Sequence, residues 1–513
     1  MAENSLDTSL YRPAGYAALL ARYGLDSIAN WHTSFVSCTG THRIDCTGNA
    51  VQEIYPSKYW PGDTLGDHLA FALRYDGTNP AILTVLFQAV SDQDFLAYVR
   101  SRPTGKYARR LWFFYEFLTG RTLPLDDLRQ GNYIDLIEPD KYYTISSPRR
   151  VRRQRINDNL PGDQRFCPTV RRTDTLHQFE VADFAGKCRS IVSDYSPELL
   201  KRAMGYLYAK ETKSSFEIEH IKLSSGRTER FVSLLQTAEA EDFCTKDRLI
   251  GLQNHIADPR FRDSDYRGTQ NYVGETVVWQ REKIHFVCPK PHDLPDLMAG
   301  LVACHERMTA AEVHPVIHAA VIAYGFVFLH PFEDGNGRIH RFLIHNILAR
   351  RGFTPEGVMF PVSASMLKNS PAYNASLEIF SRCLMYLADY TLDEEGRMTV
   401  HNETAVWYRC MDLTAQAEAL FRFIEQTIDT ELAGELAFLS KYDDAKRAIR
   451  EIADMPDRLT DLFIRFCLQN NGRLSATKRA AYFDFLSEDE TVRMEQAVQA
   501  AYGTDHDKKG ITE

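Results

Sequence analysis

Residues 314–352 read HPVIHAAVIAYGFVFLHPFEDGNGRIHRFLIHNILARRG. The twelve from His330 to Arg341 separate two runs of different character. The run before them, 314–329, is apolar nearly all round, which predicts a helix buried at the centre of a core. The run after them sets Leu343, Ile344, Ile347 and Leu348 at helical spacing, with Gly352 as a stop. The Gly335-Asn336-Gly337 turn opens this second helix. Its free backbone N–H groups and the positive end of the helix dipole face one point, and the glycines let an anion come close. Arg338 stands at the edge of the turn. Arg341, three residues on, shares its helical face and can fork onto a second phosphate. Asp334 is a hard oxygen ligand suited to Mg²⁺, which takes a carboxylate together with phosphate oxygens. His330 can accept a proton near neutral pH. Base, metal ligand and anion cradle read together as phosphoryl or nucleotidyl transfer.

Upstream, SPELLKRAMGYLYAKETKSSFEIEHI begins with Ser196 and Pro197, a cap followed by proline in the first turn. NYVGETVVWQREKIHFVCPKPHDLP differs from its neighbours. Its β-rich runs ETVVW and KIHFV flank the polar QRE, a hairpin pattern, and Pro289, Pro291 and Pro295 lead out of it into another helix. YARRLWFFYEFLTG predicts a helix ending at Gly120, and the residues after about 396 read as further helices. The expected organisation is three parts: 1–195 as an N-terminal associated region, 196–395 around the central motif, and a C-terminal helical region over 396–513. Helices dominate, and the fold class expected is mainly α with one conspicuous hairpin.

The chain has 513 residues, 44% hydrophobic and 25% charged, enough for several cores of ordinary globular composition. Its net charge of −9 argues against a protein whose whole body coats nucleic acid. A local basic stretch, with Arg149, Arg150, Arg152, Arg153 and Arg155, reads either as an extended segment clasping the next domain or as a phosphate or nucleic-acid contact. Interleaved aromatics that would favour the second are lacking. The ten cysteines include no C-x-x-C pair, the start lacks a signal-peptide pattern and no apolar run reaches membrane length, so a soluble, cytoplasmic protein is expected. His314 and His318 are four apart, but no third ligand accompanies them, and packing is the expected role.

HPFEDGNGRIHR matches the Fic-family signature His-x-Phe-x-Asp/Glu-Gly-Asn-Gly-Arg-x-x-Arg at every defined position, and the resemblance extends over about 200–395. It implies a Fic-type helical core with a β-hairpin flap, and a Mg²⁺-dependent protein adenylyltransferase moving AMP from ATP to a Ser, Thr or Tyr hydroxyl. By that resemblance His330 is the base, Phe332 a buried anchor of the loop and Asp334 the Mg²⁺ ligand. Gly335, Asn336 and Gly337 form the anion hole, and Arg338 and Arg341 hold the β- and γ-phosphates. The hairpin, about 270–290, resembles the family's flap, which pairs with the target protein by β-addition. Asn271, Tyr272, Val273 and Gly274 are similar to the nucleotide-contacting residues leading into it. PAYNASL resembles the stretch that supplies a stacking wall, making Tyr373 and Asn374 candidates.

SSFEIEHI, 214–221, resembles the family's inhibitory motif Ser/Thr-x-x-x-Glu-Gly/Asn, with Ser215 and Glu219, at the end of a helix spanning about 197–220. A carboxylate on Arg341 would replace the γ-phosphate as its partner. Here His220 stands where the family has glycine or asparagine. The alternatives left open are removal of AMP from a modified protein by the same site, and a nucleotide-sensing or nucleic-acid-binding module. Self-modification is also compatible with the motif.

Overall fold

A computed structural model describes residues 10–503, apart from 41, 49, 223–224 and 279–280. Helices dominate, as expected. The predicted central helix is Pro315–Leu329, and every residue from Val316 to Phe326 is buried. The helix opened by the glycine turn, Asn336–Arg350, packs along it and buries Leu343, Ile344, Ile347 and Leu348. Gly352 takes the left-handed conformation (φ 65°) just beyond its end.

Two further helices complete the surroundings of the motif. Pro197–Glu217 is capped by Ser196, whose side chain accepts from the Leu199 N–H, and it buries Leu199, Met204 and Leu207. Lys246–Ile256 packs against the Asn336–Arg350 helix. The hairpin is formed by Tyr272–Val278 and Arg281–Val287, antiparallel, with a register shift between Val273 and Gly274. Its connecting residues 279–280, part of the expected turn, lie outside the described residues. Leu294–Ala310 follows, with Pro295 in its first turn.

The sheets outside the hairpin are an addition to the sequence reading. Tyr11–Pro13, His32–Ser37, Ala50–Tyr55 and Arg43–Thr47 form a four-stranded sheet in that spatial order, with the inner pair parallel. These strands are short and polar, and they carry no long apolar alternation. The Lys106–Thr119 helix ends at left-handed Gly120 and buries Leu111, Trp112, Phe113, Phe114 and Tyr115 in a separate N-terminal core. The main core, in contrast, runs from Phe166 and Leu176 through the central helix to Phe421, Ile424 and Leu436. It therefore crosses both expected boundaries, 195/196 and 395/396. A third core, with Phe463, Phe483 and Met494, lies near the C-terminus.

The basic stretch is held within the chain. The Arg153 guanidinium forks onto Glu116 (Nε to Oε2 3.0 Å, Nη2 to Oε1 3.0 Å), bonds the Leu123 and Leu125 carbonyls, and lies over the Trp112 ring. Arg150 and Arg155 both cover Tyr133, and Arg149 pairs with Asp158 at 3.3 Å. His318 is buried at 3.0 Å from His305, and His314 caps its own helix by accepting from the Val316 N–H. Neither histidine belongs to a metal cluster: among the described residues no three His, Cys, Asp or Glu side chains converge for one. No described helix is long and apolar enough to cross a membrane.

Candidate active site

The central helix ends at His330, which is left-handed at φ 48° while its N–H still bonds the Phe326 carbonyl. This places the imidazole at the lip of the loop, half-buried. Its Nδ1 is 3.2 Å from the Val327 carbonyl. A carbonyl only accepts, so Nδ1 carries the proton and Nε2 is left with a free lone pair. Burial first, and the Arg267 guanidinium second, push its pKa down to about 4. The imidazole is a neutral base at physiological pH.

Phe332 is fully buried against Phe326 and Tyr266, as expected of an anchor. Its backbone is held by Asn336, whose Oδ1 accepts from the Phe332 N–H (3.1 Å) and whose Nδ2 donates to the Phe332 carbonyl (2.7 Å). The Asn336 side chain thus fixes the loop. What Asn336 and Gly337 present at the helix start is backbone N–H. Gly335 is left-handed (φ 93°), a conformation in which a side chain is strained, whereas Gly337 is needed for space. A Cβ at 337 would collide with the Glu219 carboxylate.

That carboxylate spans both arginines. Glu219 Oε1 accepts from Arg341 Nη2 at 2.7 Å, and Oε2 accepts from Arg338 Nε at 2.8 Å. The sequence placed it on Arg341; the structure adds Arg338. Both guanidiniums are buried, with side-chain exposures of 1% and 2%. Arg338 also donates to Asp334 Oδ1 (2.5 Å) and to the Ile256 carbonyl, and lies over the Phe216 ring. Arg341 donates to the Ser215 hydroxyl (2.9 Å) and the Ser215 carbonyl (2.6 Å). Burial pulls the Arg341 pKa down, but Glu219 and Tyr373 more than offset this and leave it raised. Glu219 therefore meets the arginine the sequence assigned to it, and Ser215, named only as part of the motif, meets the same one.

The end of the Pro197–Glu217 helix shows why the chain turns there. The Ile221 N–H bonds the Phe216 carbonyl and the His220 N–H bonds the Glu217 carbonyl, the paired bonds of a Schellman motif. Glu219 is the last residue before the left-handed position, which His220 occupies at φ 55°. That position favours Gly or Asn on steric grounds, which gives the family's pattern a physical basis. Two turns earlier, buried Glu211 accepts from His345 Nε2 (2.8 Å) and the Ser363 N–H (2.8 Å), tying the same helix to the Asn336–Arg350 helix.

The remaining candidates lie at the start of the flap and on the Ser370–Met385 helix. Tyr373 is buried, bonds Arg341 and lies near His340, so it is a support beneath the arginine rather than an open stacking wall. Its phenol pKa is raised, chiefly by burial. Asn374 is exposed on the adjoining helix face. Asn271 bonds within the flap's start, with its Oδ1 accepting from the Tyr272 N–H, and Val273 is exposed. Among the described residues, the hydrogen bonds joining the flap's base to the loop come instead from Arg267 and Thr269, the latter to Glu333. Sequence reasoning missed both, because SDYRGTQ has neither periodicity nor a charge cluster to mark it.

A half-buried histidine on a left-handed turn, a glycine-opened helix and two buried arginines define the class: a helical core with a cationic cradle beside a neutral imidazole. Residues 243–348 match the Fic/DOC family, and the chain contains a Fic domain there. The chain is 26% identical over 260 residues to "Protein adenylyltransferase Fic" of Aedes aegypti, covering 44% of this chain and 48% of that protein. It is 36% identical over 229 residues to the protein of the same name from Nematostella vectensis, covering 39% and 51%. The chain thus spans about half the length of the curated relatives it matches. A Fic family protein from Desulfovibrio desulfuricans is a structural neighbour at TM-score 0.33 and 18% identity, covering 63% of this chain and 87% of that one. A Fic domain containing signaling protein from Bacteroides thetaiotaomicron gives 0.35 and 19%, covering 51% and 97%.

Proposed function

We propose that this chain is a protein adenylyltransferase that moves AMP from ATP to a hydroxyl of a protein side chain and is held back by its own Glu219. The observation that carries the reading is the Glu219 carboxylate, bound across Arg338 and Arg341 in the space that Gly337 leaves open. An anion already sits where two buried guanidiniums and a helix start favour one. A triphosphate would compete for the same arginines. The free lone pair of His330 Nε2 supports the chemistry. The target's oxygen attacks the α-phosphorus, its proton passes to Nε2, an O–P bond forms, and the bond to pyrophosphate breaks.

Asp334 is the residue that would hold Mg²⁺. A lone carboxylate with 36% side-chain exposure, beside a phosphate cradle, fits an ion that draws its other ligands from phosphate oxygens and water. When bound, the ion neutralises developing phosphate charge. Until then Asp334 is held by Arg338, so Glu219 and Asp334 share one guanidinium. The flap, with its exposed strand at Val273, is the element we assign to the target polypeptide. A cytoplasmic setting and self-modification belong to the same reading.

The test is AMP incorporation from labelled ATP, read by intact-mass spectrometry. Glu219→Gly is expected to raise incorporation at least tenfold over the parent, since at least one charge-assisted pair of about 1.5–3 kcal/mol is removed from the competitor. Adding His330→Ala to that variant should abolish it. Unchanged labelling in Glu219→Gly would rule out the self-inhibition. Release of AMP from a modified protein by the parent, lost in Glu219→Gly, would favour the reverse reaction instead.

A further inference from the structure

Arg267 is 4% exposed, and among the described residues its side-chain hydrogen bonds go to backbone carbonyls and not to a carboxylate. Its guanidinium is spent on carbonyls. Nε donates to His330 (2.8 Å), Nη1 to Thr269 (2.5 Å) and Nη2 to Pro289 (2.6 Å), while its own N–H bonds the Pro331 carbonyl (2.8 Å). A buried, unpaired cation is costly unless its donors are all taken. These acceptors come from three separate segments. Thr269 and Pro289 are the two feet of the flap, just outside its strands. His330 and Pro331 form the left-handed turn that ends the central helix, where unsatisfied carbonyls and the negative end of the dipole suit a cation.

We propose that Arg267 is a positioning residue that joins both feet of the flap to the turn bearing His330. It thereby sets the base against whatever hydroxyl the flap presents. The proposal rests on the adenylyltransferase reading for its catalytic consequence, but not for its geometry. The left-handed φ of His330 is held by bonds on both sides of it: its N–H to Phe326, and its carbonyl to Arg267. The planar fork matters as much as the charge. A lysine at 267 would bring one ammonium to a place where three separate carbonyls are now reached along three directions.

The experiment compares Arg267→Lys and Arg267→Met in the Glu219→Gly background. The expected result is a fall in kcat for AMP transfer of about 100-fold, the scale of a misplacement near 1 Å, with KM for ATP within about twofold because Arg338 and Arg341 are untouched. Lysine should rescue little. Hydrogen exchange should quicken at both flap feet and at 330–332, and remain unchanged along 336–350. Equal losses in kcat and ATP affinity, or unaltered exchange at the feet, would overturn the proposal. If Glu219→Gly itself transfers no AMP, the adenylyltransferase reading has failed. The exchange comparison on the parent chain then decides Arg267 alone, faster at all three segments supporting it and unchanged opposing it.

Discussion

On the proposed reading His330 is the base, and two features of the structure set its protonation. The Val327 carbonyl assigns the proton to Nδ1, and burial beside Arg267 holds the pKa near 4. A histidine whose folded pKa lies below its ordinary value is neutral above that lower pKa and gains its proton only as pH falls through it. The transfer rate of Glu219→Gly should therefore be level from pH 6 to 8 and decline only toward pH 4. A steady-state pH profile checks this, and an acid limb centred at 6.5 would contradict it. The signature arginines were legible from their spacing, because one helical face is a matter of periodicity. Asn336 was only half legible. Its backbone serves the helix start as expected, but its side chain turned inward to Phe332, a choice made by the loop's shape and invisible in the letters DGNG. The burial of Tyr373 beside Arg341 was not legible for a similar reason, since a tyrosine in a helical stretch does not say which side of the arginine it will reach.

At the scale of elements, the Pro197–Glu217 helix, inhibitory on the proposed reading, is fixed at two points. Glu211 ties its middle to His345 and Ser363, and the Schellman turn at its end delivers Glu219 to the arginines. The weak point is His220, a non-glycine residue in the left-handed region, where the cost is roughly 1–2 kcal/mol. His220→Gly should remove that strain and tighten the latch. We expect the melting temperature to rise and basal AMP incorporation to fall about fivefold, for a gain near 1 kcal/mol. Greater incorporation with an unchanged melting temperature would show that the turn is not what holds Glu219. The helices and the flap were legible from a helical period, a long apolar run for the central helix, or two β-rich runs about a polar turn. The N-terminal sheet was not. Strands such as RIDCT and HTSFVS are five or six residues long, and their pairing is set by partners elsewhere in the chain rather than by a pattern of their own.

The molecule as a whole is joined through a contact that no single segment reveals. Phe166 is fully buried in the main core, and two glycines make room for it. A Cβ on Gly300 would lie 2.7 Å from the Phe166 Cβ, and one on Gly325 would lie 2.7 Å from its ring. Gly325 lies in an otherwise large-residue stretch of the central helix and leaves a notch for a residue from outside the expected 196–395 region. Backbone bonds just after it, Cys167 N–H to Arg409 and Thr169 N–H to Met411, stitch the same segment to the C-terminal side of the core. Domain boundaries drawn from composition could not find this, because the contact pairs residues about 160 apart whose sequences share no pattern. Phe166→Ala should cost about 3–5 kcal/mol in urea unfolding, as a large buried ring is lost from a site with little means to collapse. Gly325→Ala should also destabilise, by overpacking of about 1–3 kcal/mol. The two together should cost less than their sum, because the added methyl enters space the ring has vacated. Strict additivity in that double-mutant cycle would mean that the notch and the ring are not partners, and the joint between the N-terminal region and the Fic core would then have to lie elsewhere.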